Sequence, residues 1–233
     1  AENLAEKWEL SREDQDAFAL TSQARAARAI GDGSFKREIT AVELKTRKGT
    51  AVFDTDEHPK ATTAEALAGL KPVFRKGGSV TAGNASGIND GAAAMVLARA
   101  DAAKKAGLQP RARILGYSIA GVDPEVMGIG PIPAVQALCA RTGLNIADFD
   151  VIESNEAFAA QALAVNKVLG LNPEKVNPNG GAIALGHPIS ATGAILTLKA
   201  LNALDSFGGT KALITMCIGG GQGIAIAIEK LGD

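Results

Sequence analysis

The sequence predicts an α/β protein in which helices cover a sheet, and three observations lead to this class. After residue 111, apolar stretches of strand length alternate with stretches of helical periodicity, which is the order typical of layered α/β domains. The last two predicted strands are separated by only a few residues, so we expect them to be antiparallel neighbours. Aromatic residues make up only 4% of the chain while alanine and glycine are abundant, which favours helices packed closely on a sheet.

The N-terminal part of the chain predicts smaller elements. The first ten residues predict a helix, and a second helix follows a capping box formed by Ser11 and Asp14. A hairpin of strands 39–45 and 50–53 and a short helix over 62–70 come next. The remaining predicted elements are a strand at 79 followed by a polar loop and a small-residue helix, strand 112–119, helix 133–141, strand 150–154, helix 156–169, helix 190–204, strand 212–217 and strand 223–229.

Composition argues against several classes of protein. The chain carries 24 Lys and Arg against 25 Asp and Glu, so it lacks the basic excess that favours nucleic-acid binding. No apolar run is as long as a membrane span, and no signal-peptide pattern is present. The two cysteines, Cys139 and Cys217, are too few for a disulfide framework. We therefore expect a cytoplasmic location and neither membrane nor nucleic-acid partners.

His187 lies in the stretch Gly180–Gly193, which is rich in glycine and contains Pro188 directly after the histidine. This composition predicts a tight loop that presents an imidazole and then enters a buried helix. A purely structural hydrogen-bonding role for His187 is an equally good interpretation of the loop by itself. Metal binding is not expected, because the other histidine, His58, falls in an acidic, turn-rich stretch that predicts a solvated surface residue.

Cys217 ends a predicted strand and Asn155 follows another, and strand ends are where α/β proteins place ligand-binding groups. A reactive Cys217 would need a lowered pKa, for which the N–H groups of Gly219–Gly221 are candidates. The structural alternatives are a small buried cysteine and a helix N-cap at Asn155. Taken together, a Cys and an Asn at strand ends and a His in a glycine-shaped loop indicate an acid/base site with an oxyanion pocket, suited to acyl-transfer or enolate chemistry.

Five motifs, in this order and spacing, resemble the thiolase family of acyl-CoA C-acyltransferases. They are TAGNASGINDGAA (81–93), GVDPEVMGIGPIPA (121–134), NEAFAAQ (155–161), NPNGGAIALGHPISATGA (177–194) and CIGGGQG (217–223). The resemblance runs from Ala1 to Lys230 and corresponds to the C-terminal three-fifths of a thiolase. It implies a reversible Claisen condensation or thiolysis of 3-ketoacyl-CoA with CoA, an activity of fatty acid metabolism.

The resemblance also implies roles for single residues. His187 matches the base that activates the nucleophilic cysteine, and Cys217 matches the acid/base at the α-carbon of acetyl-CoA. Asn155, through a held water, and His187 would stabilise the enolate oxygen, while the Gly219 N–H would serve a second oxyanion hole. The residues expected to contact CoA are Ser86, Ala82 and Phe158 along the pantetheine tunnel, and Lys60 near the adenine. CoA and acyl-CoA are expected as substrates, with no permanently bound cofactor and no metal.

Some family features have no counterpart in this chain. The family's nucleophilic cysteine lies in an N-terminal half, and neither Cys139 nor Cys217 matches it. We therefore expect residues 1–88 to be the remainder of the CoA-binding loop domain, 89–110 a segment of the N-terminal domain, and 111–233 the C-terminal domain. The complete enzyme is expected to be an active homodimer or homotetramer, and the chain alone inactive without its N-terminal half. The alternative is a non-catalytic thiolase-like fragment that binds CoA or a partner.

Overall fold

The computed structural model describes residues 1–232, so the last residue of the predicted C-terminal domain, 233, lies outside the described residues. The helices are α1 (Glu2–Lys7), α2 (Arg12–Gly31), α3 (Ala64–Ala68), α4 (Ala100–Lys105), α5 (Pro131–Thr142), α6 (Ala159–Leu169), α7 (Ala182–Leu185) and α8 (Ile189–Phe207). The strands are β1 (Val42–Thr46), β2 (Gly49–Phe53), β3 (Ala112–Gly121), β4 (Val151–Ser154), β5 (Lys211–Ile218) and β6 (Gln222–Lys230). 3₁₀ segments occupy Ser34–Arg37, Pro124–Ile129 and Ile146–Asp148, and the second of them is kinked at Val126.

The main sheet has four strands in the order β3-β6-β5-β4. Strand β4 runs parallel to β5, whereas β6 is antiparallel to both β5 and β3. The predicted antiparallel pairing of the last two strands is thereby confirmed. The carboxyl ends of β4 and β5 consequently lie at the same edge of the sheet, where ligand-binding groups of α/β proteins gather.

Helices pack on both faces of this sheet, which confirms the α/β layered class. Leu213 and Ile214 are neighbours on β5 and point to opposite faces, as the pleat requires. Leu213 belongs to a core cluster with Leu138 of α5, while Ile214 belongs to a second cluster with Leu204 of α8. Two separate apolar cores on one central sheet therefore hold the C-terminal part together.

The N-terminal helices pack on the C-terminal part through α6 and α7. Helix α2 begins after the predicted capping box: the Ser11 hydroxyl accepts from the Asp14 N–H, and the Asp14 carboxylate accepts from the Ser11 N–H. The hairpin of β1 and β2 is antiparallel as predicted, and all of its residues are exposed. Within residues 1–232, no helix combines the length and the apolar character that crossing a membrane requires.

The prediction of a strand at residue 79 is wrong, and the small-residue helix predicted after the polar loop is present only as α4. Residues 82–99 form neither, and only α4 is helical in this region. The apolar side chains of Ile88, Val96 and Leu97 are 103%, 87% and 71% exposed, so no packing surface selects a regular conformation for them. Tertiary packing supplies most of the stability of a short helix or an isolated strand, and it is missing here.

The prediction that a helix begins at residue 156 is also wrong, because α6 begins at Ala159 after an N-cap at Phe158. The residues between β4 and α6 form backbone hydrogen bonds with other parts of the chain. The Asn155 N–H donates to Thr215 O on β5 (3.0 Å), and the Ala159 N–H donates to Asn84 O (2.8 Å). Asn155 therefore extends the strand pairing beyond β4, and its alternative interpretation as a helix N-cap is excluded.

Candidate active site

The loop of His187 has the tight shape that its composition predicts. It joins α7 to α8 through Gly186, whose φ of 94° suits glycine. A side chain at Gly186 would lie only 2.5 Å from Oδ1 of Asn89. That same oxygen accepts the His187 N–H at 3.1 Å, and Pro188 caps α8 immediately afterwards. The backbone is thus fixed on both sides of the imidazole.

Both nitrogens of the His187 ring face polar side chains. Nδ1 lies 2.7 Å from Oγ1 of Thr192, and Nε2 lies 3.4 Å from Nδ2 of Asn155. Burial lowers the pKa of His187 below its ordinary value, which favours the neutral ring that a general base requires. No group of three His, Cys, Asp or Glu residues within 1–232 is arranged to hold a metal ion.

Asn155 is almost fully buried, with 1% of its surface exposed. Its amide nitrogen faces His187, while its Oδ1 atom has no hydrogen-bond partner among the protein groups of residues 1–232. A buried amide oxygen is expected to have a partner, and an ordered water is the usual one. The predicted role of Asn155, which acts through a held water, is compatible with this environment.

Asn177 holds the end of β4 and was missed by the sequence reasoning. Its Oδ1 accepts the Ser154 N–H (2.9 Å), and its Nδ2 donates to Ser154 O and to Oε1 of Glu156, both at 2.8 Å. Its φ of 44° is left-handed, a conformation that Asn tolerates better than most residues. An Asn directly after a buried apolar residue and before Pro178 is the signal that could have indicated such a turn.

Glu156, the polar residue next to Asn155, ties the loop after β4 to the N-terminal part. Its Oε2 atom accepts from the Ser22 hydroxyl of α2 (2.7 Å) and from the Ile183 N–H of α7 (3.3 Å). Burial raises the pKa of Glu156. Because a side chain at Gly181 would lie within 2.1 Å of this carboxyl group, the glycine of the His187 motif makes room for it.

Cys217 lies near the end of β5, where it pairs with Gly223 of β6, and is 4% exposed. Burial raises the pKa of its thiol to about 11. The expected lowering of this pKa by glycine N–H groups is therefore wrong for the resting protein, and the residue is a thiol rather than a thiolate. Gly219 is exposed at the start of the turn to β6, in which Gly220 and Gly221 have φ values of 89° and 95°.

Two of the four residues expected to contact CoA are brought together by backbone pairing. The Ser86 N–H donates to Ala157 O (3.0 Å), and Ala85 forms an isolated bridge with Phe158. The Phe158 ring contacts Phe74 edge-on, with 5.8 Å between the ring centroids. Ala82 is exposed on the turn that precedes this pairing.

Lys60 has an exposed side chain, and its backbone N–H donates to Oε1 of Gln23 on α2 (3.1 Å). His58, two residues earlier, is half-buried, so the prediction of a solvated surface residue is wrong. Its Nδ1 lies 3.3 Å from Nδ2 of Asn89, the residue that also binds the His187 N–H. The Lys60 stretch therefore reaches the edge of the His187 site through Asn89.

Comparison with known proteins agrees with the fold and the motifs. The family model "Thiolase, N-terminal domain" matches residues 1–101, and "Thiolase, C-terminal domain" matches residues 108–230. The beta-ketoadipyl-CoA thiolase of Pseudomonas aeruginosa is 58% identical over 234 residues, and the acetyl-CoA acetyltransferase of Escherichia coli is 57% identical over 232 residues. Each match covers 99% of this chain, and respectively 58% and 59% of the relative.

A solved structure is equally similar. The crystal structure of the Bacillus anthracis acetyl-CoA acetyltransferase superposes with a TM-score of 0.97 at 53% identity, covering 99% of this chain and 59% of that one. The chain belongs to the thiolase family. It spans about three-fifths of the length of the curated relatives it matches.

Proposed function

We propose that the complete protein is an acyltransferase that catalyses reversible thiolysis of 3-ketoacyl-CoA with CoA, and that this chain is its C-terminal three-fifths. The observation that carries this proposal is the contact between Nε2 of His187 and the amide of Asn155, at 3.4 Å. A partly buried basic nitrogen beside an amide donor suits a site where a proton is taken up while an oxyanion develops. The CoA thioesters named for the relatives are in agreement with this chemistry.

In thiolysis, His187 takes the proton of a cysteine thiol from the N-terminal half of the enzyme. The cysteine sulfur attacks the 3-keto carbonyl, the bond between C2 and C3 breaks, and its electron pair forms the enolate of acetyl-CoA. Cys217 gives its proton to C2 of this enolate, and acetyl-CoA leaves. A thiol whose pKa is raised to about 11 keeps its proton until such a strong base forms beside it.

The second half-reaction returns His187 and Cys217 to their starting protonation states. The incoming CoA thiol gives its proton to the Cys217 thiolate and attacks the acyl group on the nucleophilic cysteine. That cysteine leaves as a thiolate and recovers its proton from the His187 imidazolium. While protonated, Nε2 of His187 is a donor, and together with a water on Asn155 it stabilises the enolate oxygen; the Gly219 N–H serves the oxyanion at the acyl carbonyl.

CoA is proposed to bind along the loop domain. Ser86, Ala82 and Phe158 line the pantetheine, and Lys60 lies against the adenine at the edge of the site. The bridge between Ala85 and Phe158 supports this assignment, because it sets the two stretches side by side. The domain boundaries proposed above, 1–88, 89–110 and 111–233, leave these residues on the first and third segments.

The nucleophile is proposed to come from the N-terminal half. Cys139 lies in α5 on the covered face of the sheet, and burial raises the pKa of its thiol, which does not suit a nucleophile. The uncovered face of β3 supports a further domain on this side, since Tyr117 and Ile119 are 58% and 61% exposed. The complete enzyme is proposed to be a cytoplasmic homodimer or homotetramer.

The test is reconstitution with the separately produced N-terminal half of a thiolase relative. The chain alone is expected to leave acetoacetyl-CoA intact, whereas the reconstituted pair cleaves it, and His187→Ala in the pair abolishes cleavage. A pair that forms a stable complex but shows no thiolysis would contradict the proposal. CoA binding by such an inactive pair would instead support a non-catalytic thiolase-like fragment.

A further inference from the structure

We propose that Thr192 is a positioning residue that sets the tautomer of His187, so that the neutral ring carries its proton on Nδ1 and presents the lone pair on Nε2. This inference deepens the proposed function and rests on it for its catalytic meaning. The arrangement itself is a property of the folded chain, however, and can be measured without turnover.

The hydroxyl of Thr192 contacts two polar groups. Its Oγ1 atom lies 2.7 Å from Nδ1 of His187 and 2.9 Å from the carbonyl oxygen of Pro188. A hydroxyl group has one hydrogen and two lone pairs, whereas a carbonyl oxygen can only accept. The contact with Pro188 therefore uses the hydroxyl hydrogen, and Thr192 has only lone pairs left for His187. Nδ1 must then be the donor.

The other side of the ring agrees with this assignment. Nδ2 of Asn155, which carries two hydrogens, lies 3.4 Å from Nε2 of His187. A donor at this position is compatible with a lone pair on Nε2 and would oppose a second N–H. Thr192 and Asn155 thus select one tautomer from opposite edges of the imidazole, and the hydrogen bond at one nitrogen fixes the state of the other.

The burial of Thr192 strengthens the selection of this tautomer. Thr192 is 3% exposed in the first turn of α8, so its hydroxyl cannot turn to bulk water for a partner. The Pro188 carbonyl that it binds belongs to the N-cap of the same helix, directly after His187. The start of α8 therefore holds the histidine backbone and the histidine ring as one unit.

The chemical consequence concerns which nitrogen meets the substrate. A base that activates a nucleophile needs its lone pair on the nitrogen that faces the reacting atoms. In the other tautomer Nε2 would carry a proton and could not accept one. When Nε2 is protonated, the Nδ1–H bond to Thr192 persists and becomes a stronger, charge-assisted bond. Thr192 thus supports both states that the proposed cycle requires.

The first test is the ¹⁵N NMR spectrum of the imidazole nitrogens in the folded protein. The chain has two histidines, so the variant His58→Gln identifies the signals of His187. The expected result is a neutral His187 with a protonated Nδ1 and a bare Nε2. A neutral ring protonated on Nε2 would overturn the proposal, and this outcome needs no substitution at Thr192.

The second test compares Thr192→Val with Thr192→Ser. The valine removes the acceptor of Nδ1–H at nearly constant volume, so the Nε2–H tautomer should gain population and the pKa of His187 should fall, because the imidazolium loses the stronger bond. Serine should restore both readouts. Thr197→Val is the control. The Thr197 hydroxyl also donates to a carbonyl oxygen one helical turn earlier, that of Gly193 (2.8 Å), but it forms no hydrogen bond with a histidine.

The third test uses the complete enzyme. Thr192→Val should lower kcat by about 10- to 100-fold, by analogy with metal-bound histidines that lose an orienting hydrogen bond, with recovery in Thr192→Ser and no loss in Thr197→Val. Wild-type kcat in Thr192→Val would overturn the positioning role. An inactive wild-type enzyme whose His187 shows the expected tautomer would instead overturn the proposed function and leave the Thr192 arrangement standing.

Discussion

The side chain of Asn177 forms both backbone hydrogen bonds that a neighbouring strand would make with Ser154. It accepts the Ser154 N–H at 2.9 Å and donates to the Ser154 carbonyl at 2.8 Å. The next residue along the chain is Asn155, whose amide faces His187. Asn177 therefore fixes the backbone from which one half of the candidate site projects.

We expect Asn177→Ala to destabilise the fold by about 2–4 kcal/mol, because it leaves two backbone groups of Ser154 and one oxygen of Glu156 buried without partners. Denaturant unfolding measures the change. Asn177→Gly also removes the side-chain hydrogen bonds, but glycine tolerates the φ of 44° without strain. Its free energy of unfolding should therefore fall nearly as much as that of Asn177→Ala, which would assign the loss to hydrogen bonding and not to backbone strain. The exposed Asn172, which caps a surface turn, is the control; a loss as large in Asn172→Ala would contradict the role of Asn177.

A buried ion pair on the other side of β4 predicts how stability depends on pH. Glu153 is fully buried, neither of its oxygens has a hydrogen-bond partner among residues 1–232, and the Lys199 ammonium lies 3.8 Å away. Burial raises the pKa of Glu153 from 4.5 to about 7, with Glu38 and Glu156 acting in the same direction and Lys199 opposing them. In that interval the folded protein holds a proton that the unfolded chain releases, so the free energy of unfolding falls as pH rises.

Glu153→Gln should remove this part of the pH dependence. At about pH 8 the variant should be more stable than the wild type by about 1–3 kcal/mol, and near pH 5 the two should be similar. Thermal or denaturant unfolding across this range measures the slope. Glu174, whose side chain is 87% exposed, provides the control Glu174→Gln, which should leave the slope unchanged. An unchanged slope in Glu153→Gln would show that the carboxyl group is already ionised below this range.

Lys60 is proposed to lie against the adenine of CoA, on which an arginine would stack better. If it contacts the adenine of CoA in the complete enzyme, Lys60→Arg should lower the KM for CoA by about 2- to 5-fold through a stronger cation–π contact, with kcat unchanged. Steady-state kinetics with varied CoA measures this. Lys36→Arg, at another exposed lysine, should have no effect. A KM that does not respond to Lys60→Arg would remove Lys60 from the CoA site.

The sheet and its helices could be predicted from the sequence because local patterns and burial agree there. The antiparallel strands β5 and β6 follow from their short connection, and the start of α2 follows from the Ser11 capping box. The segment 82–99 could not be predicted in the same way. Its apolar residues satisfy helix and strand patterns, but the described fold gives them no surface on which to pack.

The contact between His187 and Asn155 joins two residues that the sequence indicates for the site, whereas the electrostatics of the site could not be predicted. The loop of His187 follows from glycine and proline chemistry, which is local. The raised pKa of Cys217 depends on burial by distant segments, and the role of Asn177 depends on a contact across 23 positions of sequence. The half-burial of His58 likewise arises from Asn89, 31 residues away. No local pattern carries such information.

The most direct test of the account is thiolysis of acetoacetyl-CoA by the complete enzyme with Cys217→Ala, measured beside its thermal unfolding. The account predicts that turnover is lost while the melting temperature stays close to that of the wild type, because a small buried thiol contributes little packing but supplies the proton for the enolate. Wild-type-like thiolysis in Cys217→Ala would contradict the acid/base role of this residue and, with it, the proposed chemistry of the site.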